Sequence, residues 1–571
     1  MALTKISITK ELRGFGTADL LVILILVGML GGLLAVGQQW VSPFHAAVQI
    51  DLSPWALIGY CASSLARNFA AFLVSLAVAF WWGIWAAKSR AAEKILIPLV
   101  DILQAIPVLG FMPGLVLGLV HLFPHSRIGL ELACVLMIVT SQAWNMILSV
   151  YQSVKGIPTP MRDMADNAGL SRRQRFLHLE LPFSMTPLVW NCMLSVGNGW
   201  FFVTVTEAFV LGSQDFRLPG IGSYMSVAME TGNMRAMVYG VTAMAVMVVA
   251  LDQLLWRPLV VWADRFRTDD QAPMDPLSSP VLRFFLGSKF LIRLGDRVYA
   301  LVRSNDGGHG KPTPRRRIGV EPASLGARLQ SVLGVAFLGV LALGAWRMLA
   351  FFHEISLQRW GAVLGEAGLT LCRILVAMLL CAVWAIPLGV KIGLNQRLAK
   401  YLQPVIQLFN SYPAPLLFPA LLAGFLYFGW DIEVSSVLLM MVGTFAYLLF
   451  NVIGGASLIS QEQKDVWACY GPSSLAYWKK FIFPAILPSL VVGLNTMMGA
   501  AWNATIVTEF VRLRGQDHVV KHGLGATINL ATDSGDLALL TAAVFVMAAL
   551  VVAINRVFWS PLSDYAARLS A

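Results

Sequence analysis

Two acidic residues lie where apolar sequence leaves them little water. Glu207 and Glu509 each close a long hydrophobic stretch, seven residues after Trp200 and Trp502. Arg67 and Arg373 open two other apolar stretches at matching positions. A charge inside a bilayer is costly and marks a functional position by default. Three chemistries are open to this set. Arg–Glu pairs would hold helix packing or the outer gate. The guanidinium groups would instead take an oxyanion directly, through bidentate hydrogen bonds. The carboxylates would otherwise relay protons. The first reading is favoured, and proton relay ranks last because each Glu has a cation at its own depth. Trp200 and Trp502 read as packing residues ahead of pathway lining. No site for covalent chemistry is present: there is no GxxxxGK followed by Ser or Thr, no HExxH and no GxSxG. His309-Gly310-Lys311-Pro312 lacks the upstream Gly and puts Pro where Mg²⁺ binding needs a hydroxyl. The chain reads as a non-enzyme that binds no cofactor. The eight His and six Cys are scattered, without metal-ligand spacing.

The elements that must position these residues are membrane spans. Of 571 residues, 57% are hydrophobic and 13% charged, and the mean hydropathy is +0.70. A soluble domain carries about a quarter charged residues. The net charge of +11 falls in loops between apolar runs, so lipid headgroups, not nucleic acid, are its expected partner. In the first half, spans are expected at 19–40, 68–88, 97–121, 129–151, 186–211 and 236–257. Basic residues follow the second, fourth and sixth (Lys88, Arg90 and Lys94; Arg172, Arg173 and Arg175; Arg257 and Arg265). That bias places both chain termini and the loop 163–182 in the cytoplasm. Residues 268–325 are rich in Pro and Arg and read as a cytoplasmic linker, with an amphipathic basic segment at 281–302 lying on the membrane surface.

The second half repeats the first. Spans are expected at 329–352, 372–392, 404–428, 434–456, 487–511 and 537–558, about 12 in all. At an offset of 306, Arg67 meets Arg373, Pro107 meets Pro413 and Pro113 meets Pro419. At 302, Gly169 meets Gly471, Pro182 meets Pro484, Trp200 meets Trp502 and Glu207 meets Glu509. At 303, Gly222 meets Gly525 and Trp256 meets Trp559. An even number of spans per copy makes this a parallel repeat about an axis along the membrane normal. The expected object is an all-α integral membrane protein of two six-helix bundles, with repeats at 1–267 and 326–571. Pro107, Pro113, Pro413 and Pro419 are expected to interrupt the third spans, either as kinks or by freeing carbonyls toward a polar cavity.

Two polar loops, 163–182 and 465–484, share their punctuation. Asp163, Ala165, Gly169 and Pro182 in the first answer to Asp465, Trp467, Gly471 and Pro484 in the second. This spacing resembles the EAA loop of permease subunits of binding-protein-dependent ABC importers, with Asp in place of the leading Glu. A finer resemblance, to the nitrate/sulfonate/taurine-type permeases, is carried by Ser64-Leu65-Ala66-Arg67 and Thr370-Leu371-Cys372-Arg373. Ala105-Ile106-Pro107, Ser411-Tyr412-Pro413 and the segments from Trp200 to Glu207 and Trp502 to Glu509 also carry it. The resemblance implies a fused, two-copy, type I ABC importer permease in a bacterial inner membrane. It implies that Gly169 and Gly471 turn two coupling helices toward two copies of an ATP-binding subunit, which holds ATP and Mg. It further implies a periplasmic solute-binding protein, and a small anion such as nitrate, bicarbonate, a sulfonate or taurine as solute. An ion-gradient-coupled secondary transporter using Glu207 and Glu509 is the alternative.

Overall fold

A computed structural model describes residues 49–263, 266 and 352–570, with breaks at 106, 125, 212–213, 354, 470–472 and 514. The expected span at 19–40, nearly all of that at 329–352, and the linker 268–325 with its segment 281–302 lie outside the described residues. Helix α1 runs Pro54–Lys88, fourteen residues longer at its start than the apolar window 68–88. Its start is set by polar capping, which hydropathy does not register. Ser53 Oγ accepts from Ala56 N–H at 3.3 Å, Asp51 accepts from Ser53 N–H at 2.9 Å, and Pro54 sits in the first turn. The matching helix of the second half likewise starts well before the window 372–392, behind the Ser356 cap. Arg67 and Arg373 therefore stand well inside their helices, not at the ends expected for them.

The third spans are interrupted, not continuous over 97–121 and 404–428. Helix α2 (Arg90–Ala105) stops, a 3-10 turn covers Val108–Phe111, and α3 (Met112–Leu122) resumes. Pro107, at φ −65° and ψ 109°, is extended, and a proline bars the helical conformation just before it and donates no N–H. This is a full break and not a kink. Pro113 differs from its expected role: it lies in the first turn of α3, where a missing N–H costs nothing. Helix α4 (Ile128–Lys155) leads into short α5 (Thr159–Asn167). A turn of α-helix and a π turn at Phe176–Glu180 precede α6 (Leu181–Glu207). The span expected at 186–211 thus ends at Glu207, and Val210–Leu211 (β1) pairs antiparallel with Gln214–Asp215 (β2). Helices α7 (Ile221–Glu230), α8 (Met234–Leu251) and α9 (Arg257–Ala263) complete the half, with a π turn at Asp252–Trp256.

The second half reproduces this order. It comprises α10 (Leu357–Leu394), α11 (Gln396–Ser411), α12 (Phe418–Tyr427), α13 (Ile432–Ser457), α14 (Gln461–Cys469) and α15 (Phe483–Thr508). A hairpin of β3 (Phe510–Leu513) and β4 (Gln516–Val519) follows, so the span expected at 487–511 ends at Thr508. Then come α16 (Leu524–Ser534), α17 (Leu537–Ile554) and α18 (Ser560–Ser570). Pro413 is extended between α11 and α12, and Pro419 opens α12. The π turns recur at Trp478–Ile482 and Asn555–Trp559. Among the described residues, eight helices are long and apolar enough to span a membrane, and two shorter apolar helices, Val108–Leu122 and Phe418–Tyr427, stand in the third-span positions.

Within each half the fourth helix packs between α1 and α6, or between α10 and α15. Bundle packing in lipid depends on close backbone approach rather than on hydrophobic exclusion. Gly83 and Gly389 provide it: an added Cβ would stand 2.9 Å from Val150 and 2.7 Å from Val452. The halves interlock through their broken third spans. Ser411 packs on Gly197 of α6, and Val544 of α17 packs on Gly110. Tyr412 donates to the Val241 carbonyl at 3.2 Å, and Tyr447 donates to Asn198 at 3.1 Å. One apolar core crosses the seam and includes both Trp200 and Trp502.

Candidate functional site

The structure brings Arg67 and Glu207 together at 2.7 Å, at the end of α6. Arg67 also meets Glu131, in the first turn of α4, through a two-pronged contact (Nε to Oε2 at 2.6 Å, Nη2 to Oε1 at 2.7 Å). Nη1, which meets Glu207, also donates to the Pro219 carbonyl at 2.8 Å. Ser64, one turn earlier on α1, donates to Glu207 at 2.8 Å and accepts the Ile221 N–H at 3.0 Å. Gly222 N–H donates to Glu207 Oε2 at 3.0 Å. The N-terminus of α7 is thereby seated on the carboxylate, where its unpaired amides and dipole favour negative charge. Side chains at Gly220 or Gly222 would collide with the Glu207 carboxylate and the Thr204 carbonyl. All three charged side chains are at most 3% exposed.

The second half repeats the arrangement. Arg373 reaches Glu509 at 3.1 Å and Glu433 at 2.5 Å. Thr370 takes the place of Ser64, donating to Glu509 at 2.9 Å and accepting Leu524 N–H at 2.8 Å. Gly525 N–H donates to Glu509 at 2.8 Å. Here the set is wetter: Arg373 is 13% and Glu433 31% exposed, while Glu509 stays fully buried. Sequence reasoning missed Glu131 and Glu433. The signal was available, because they stand at the same offset of 302 as Glu207 and Glu509. The offset therefore changes between Pro113 and Glu131, in the α3–α4 connection and not later.

The loop residues lie at the other end of α4 and α6, a helix length from the ion pairs. Helix α5 ends in a Schellman turn: Gly169 is left-handed (φ +64°), Leu170 N–H reaches the Ala165 carbonyl at 3.2 Å, and Gly169 N–H that of Asp166 at 3.0 Å. Ala165 is buried, Asp163 is exposed, and Pro182 sits in the first turn of α6. In the second copy Asp465 is exposed on α14 and Pro484 opens α15, while Gly471 lies outside the described residues. Met164 and Val466, at matching positions, both present apolar side chains to the surface.

Trp200 and Trp502 are fully buried and line neither of two cavities. One cavity, of about 240 Å³, lies at the seam of the halves on the ion-pair side. Its lining includes Pro113 and Pro419, Phe209 and Phe510, and the charged Arg217, Glu230, Arg512 and Asp533. The other, of about 450 Å³, lies between α4 and α6 and is lined by Asn145, Gln152 and Asn191 among others.

Comparison with known proteins gives one family model twice in the chain, over residues 79–255 and 385–558, together more than half of its length: the binding-protein-dependent transport system inner membrane component. A putative aliphatic sulfonates transport permease protein of Bacillus subtilis is 28% identical over 160 residues, 28% of this chain and 56% of its own. The taurine transport system permease protein of Escherichia coli is 27% identical over 142 residues, 25% of this chain and 50% of its own. A nitrate import permease protein of Leptolyngbya laminosa is 26% identical over 146 residues, 26% and 51% respectively. The chain spans about half the length of these relatives.

Proposed function

Since the chain belongs to the binding-protein-dependent transport system inner membrane components, with the family domain present twice, we propose that it is the complete transmembrane pathway of an ATP-driven importer. Its two halves, 1–267 and 326–571, take the place of two separate permease subunits, with both termini and the linker on the cytoplasmic side. Two copies of an ATP-binding subunit dock on α5 and α14, through Met164 and Val466 and the turns at Gly169 and Gly471. They bind ATP and Mg and shift the bundle between outward and inward access by holding one state more tightly than the other. A periplasmic solute-binding protein delivers the solute at the end that carries Glu207 and Glu509. The solute is a small oxyanion-bearing molecule, in keeping with relatives named for sulfonates, taurine and nitrate.

In this reading the ion-paired residues do not touch solute. Arg67, with Glu131 and Glu207, and Arg373, with Glu433 and Glu509, tie three helices and the N-terminus of α7 or α16 into one unit per half. Each arginine is already engaged by two carboxylates, which disfavours direct oxyanion capture at that point. The observation that carries the proposal is the doubled family match, each copy enclosing one short polar helix at the end of the bundle away from the ion pairs. The test is purification of the chain from its native host with the ATP-binding content quantified. Two ATP-binding subunits per chain are expected. A well-folded preparation with none, together with uptake driven by a proton or sodium gradient, would replace this reading with ion coupling through Glu207 and Glu509.

A further inference from the structure

The two docking helices are fastened to their bundles in different ways. In the first half α4 ends at Lys155 and α5 begins at Thr159. The Val154 carbonyl would ordinarily accept the N–H four residues on, but that residue is Pro158, which has none. Arg162 of α5 supplies the donor instead. Its Nη2 reaches the Val154 carbonyl at 3.0 Å and the Lys155 carbonyl at 2.8 Å. A cation on the last carbonyls of a helix also complements its dipole. The ammonium of Lys155 pairs with Glu93 of α2, to which Tyr151 donates at 2.6 Å. Lys88, at the end of α1, pairs at 2.8 Å with Glu180, where the π turn meets α6.

The second half keeps none of these polar ties. Glu93, Tyr151 and Lys155 become Ala399, Ile453 and Ser457, while Lys88 and Glu180 become Leu394 and Ile482. Ser460 stands where Pro158 does, and the end of α13 is closed by its own backbone. Leu458 N–H reaches the Gly455 carbonyl at 3.3 Å, and Ile459 N–H that of Ala456 at 3.4 Å. Lys464, in the place of Arg162, makes no side-chain hydrogen bond to α13 among the described residues. Helix α14 instead leans on the entry to α15, with Trp467 stacked on Phe481 at 5.3 Å.

We infer that Arg162 is a positioning residue for energy coupling: it clamps the first docking helix to α4, so that the ATP-binding subunit at this loop moves the first half as one body against the second. The inference rests on the importer reading and adds which loop carries the stroke. Helix α4 is continuous over 28 residues, about 42 Å. Near its outer end Glu131 shares Arg67 with Glu207 of α6. A push on α5 can therefore reach α6 by two routes. One runs back through the clamp, along α4 and across the buried ion pairs. The other runs forward through the left-handed turn at Gly169 and the π turn at Phe176–Glu180. The forward route crosses two irregular turns, which bend where a continuous helix does not. The clamp thus decides whether the push is transmitted or absorbed. In the second half a push on α14 meets a ring stack with no directional bond to α13, so more of it is absorbed.

The experiment is hydrogen exchange of the full-length chain, purified with its ATP-binding subunits and held in lipid nanodiscs, with and without ATP and vanadate. It is read at Val108–Phe111 and Ala414–Leu416, the breaks in the third spans. These segments adjoin the contacts of Gly110 with Val544 and of Ser411 with Gly197, which cross the seam. In the wild-type complex, ATP with vanadate should change exchange at both. Arg162 is exposed, so Arg162→Gln leaves no cavity. That variant should keep its ATP-binding subunits and its rate of ATP hydrolysis, yet lose the change at the seam. Arg162→Lys, which can still donate to one carbonyl, should retain part of it. Lys464→Gln should retain all of it. A full change in Arg162→Gln, or an equal loss in Lys464→Gln, would overturn the inference. So would a wild-type complex that holds its ATP-binding subunits but shows no change at the seam. Loss of those subunits from Arg162→Gln would also overturn it, since Arg162 would then shape the docking surface and not the link behind it, with the importer reading intact. A wild-type chain that retains no ATP-binding subunit would overturn both.

Discussion

Replacing Arg67 by Met should destabilise the chain far more than replacing Arg373 by Met, although the two residues are repeats of each other. Met keeps the stem of the side chain and removes the guanidinium. In the first half this strands Glu131 and Glu207, both buried and both held by the lost group. In the second half it strands Glu509 alone, because Glu433 faces water and keeps the Lys521 N–H at 2.8 Å. Removing one partner from a buried ion pair costs about 3–5 kcal/mol for each charge left uncompensated. A pair with solvent access is worth about 0–1 kcal/mol. The two variants should therefore differ by about 3–5 kcal/mol, the contribution of one extra stranded carboxylate. Unfolding of the solubilised chain by SDS titration, followed through tryptophan fluorescence, reads this as a shift in midpoint. Arg67→Lys keeps the charge without the fork and should fall between wild type and Arg67→Met. Equal midpoints for the two Met variants, or the reverse order, would refute the claim that the first network is sealed and the second is not.

Gly169→Pro cannot adopt φ +64° and should uncouple ATP hydrolysis from uptake while the chain still inserts, measured as the ratio of hydrolysis to transport in proteoliposomes. Gly222→Ala drives a methyl group into the Thr204 carbonyl and should lower the apparent melting temperature, whereas alanine at Gly114, which has open space, should not. Ser53→Ala removes the cap of α1 and should cost about 1 kcal/mol in the same SDS titration. On α2, hydrogen bonds from Lys155 and Tyr151 hold the Glu93 carboxyl below its ordinary range. A depressed carboxylate contributes stability above its unfolded pKa and loses it as pH falls through the folded value. Contact of α2 with α4 should therefore loosen only as pH falls below the ordinary glutamate range, seen as added mobility of a spin label on α2, and this step should vanish in Glu93→Gln.

The repeat was legible because it falls on residue types that apolar drift does not interchange: Pro107 with Pro413, Gly169 with Gly471, Glu207 with Glu509. Helix starts were not legible, since Ser53 and Ser356 act through single hydrogen bonds that leave hydropathy unchanged. The hairpins after Glu207 and Thr508 were read as the ends of spans because their first residues, Val210-Leu211 and Phe510-Val511, are as apolar as a helix interior, although the returning strands are polar. Two of the three residues in each ion-pair set were readable from Arg and Glu at matching depth. Glu131 and Glu433 were passed over despite their offset of 302, because each opens a span and reads as a loop charge on a hydropathy scale. The seam cavity was hidden from pattern reading: Glu230 and Asp533 stand at the repeat offset of 303, but Arg217 and Arg512 come from non-equivalent positions, and the four meet only in three dimensions.

The difference in wetness between the two Arg–Glu sets has a mechanical consequence. Any motion that parts α1 from α6, or α10 from α15, must pull an arginine off a carboxylate. In the second half Arg373 and Glu433 are partly exposed, so water can solvate the guanidinium as it leaves the buried Glu509, and that latch is held by one dry carboxylate instead of two. In the first half the same displacement would expose bare charges to a dry core before any water arrived, so that latch stays shut. The two repeated bundles thus differ in how firmly their helices are tied, and parting them costs more in the first half than in the second.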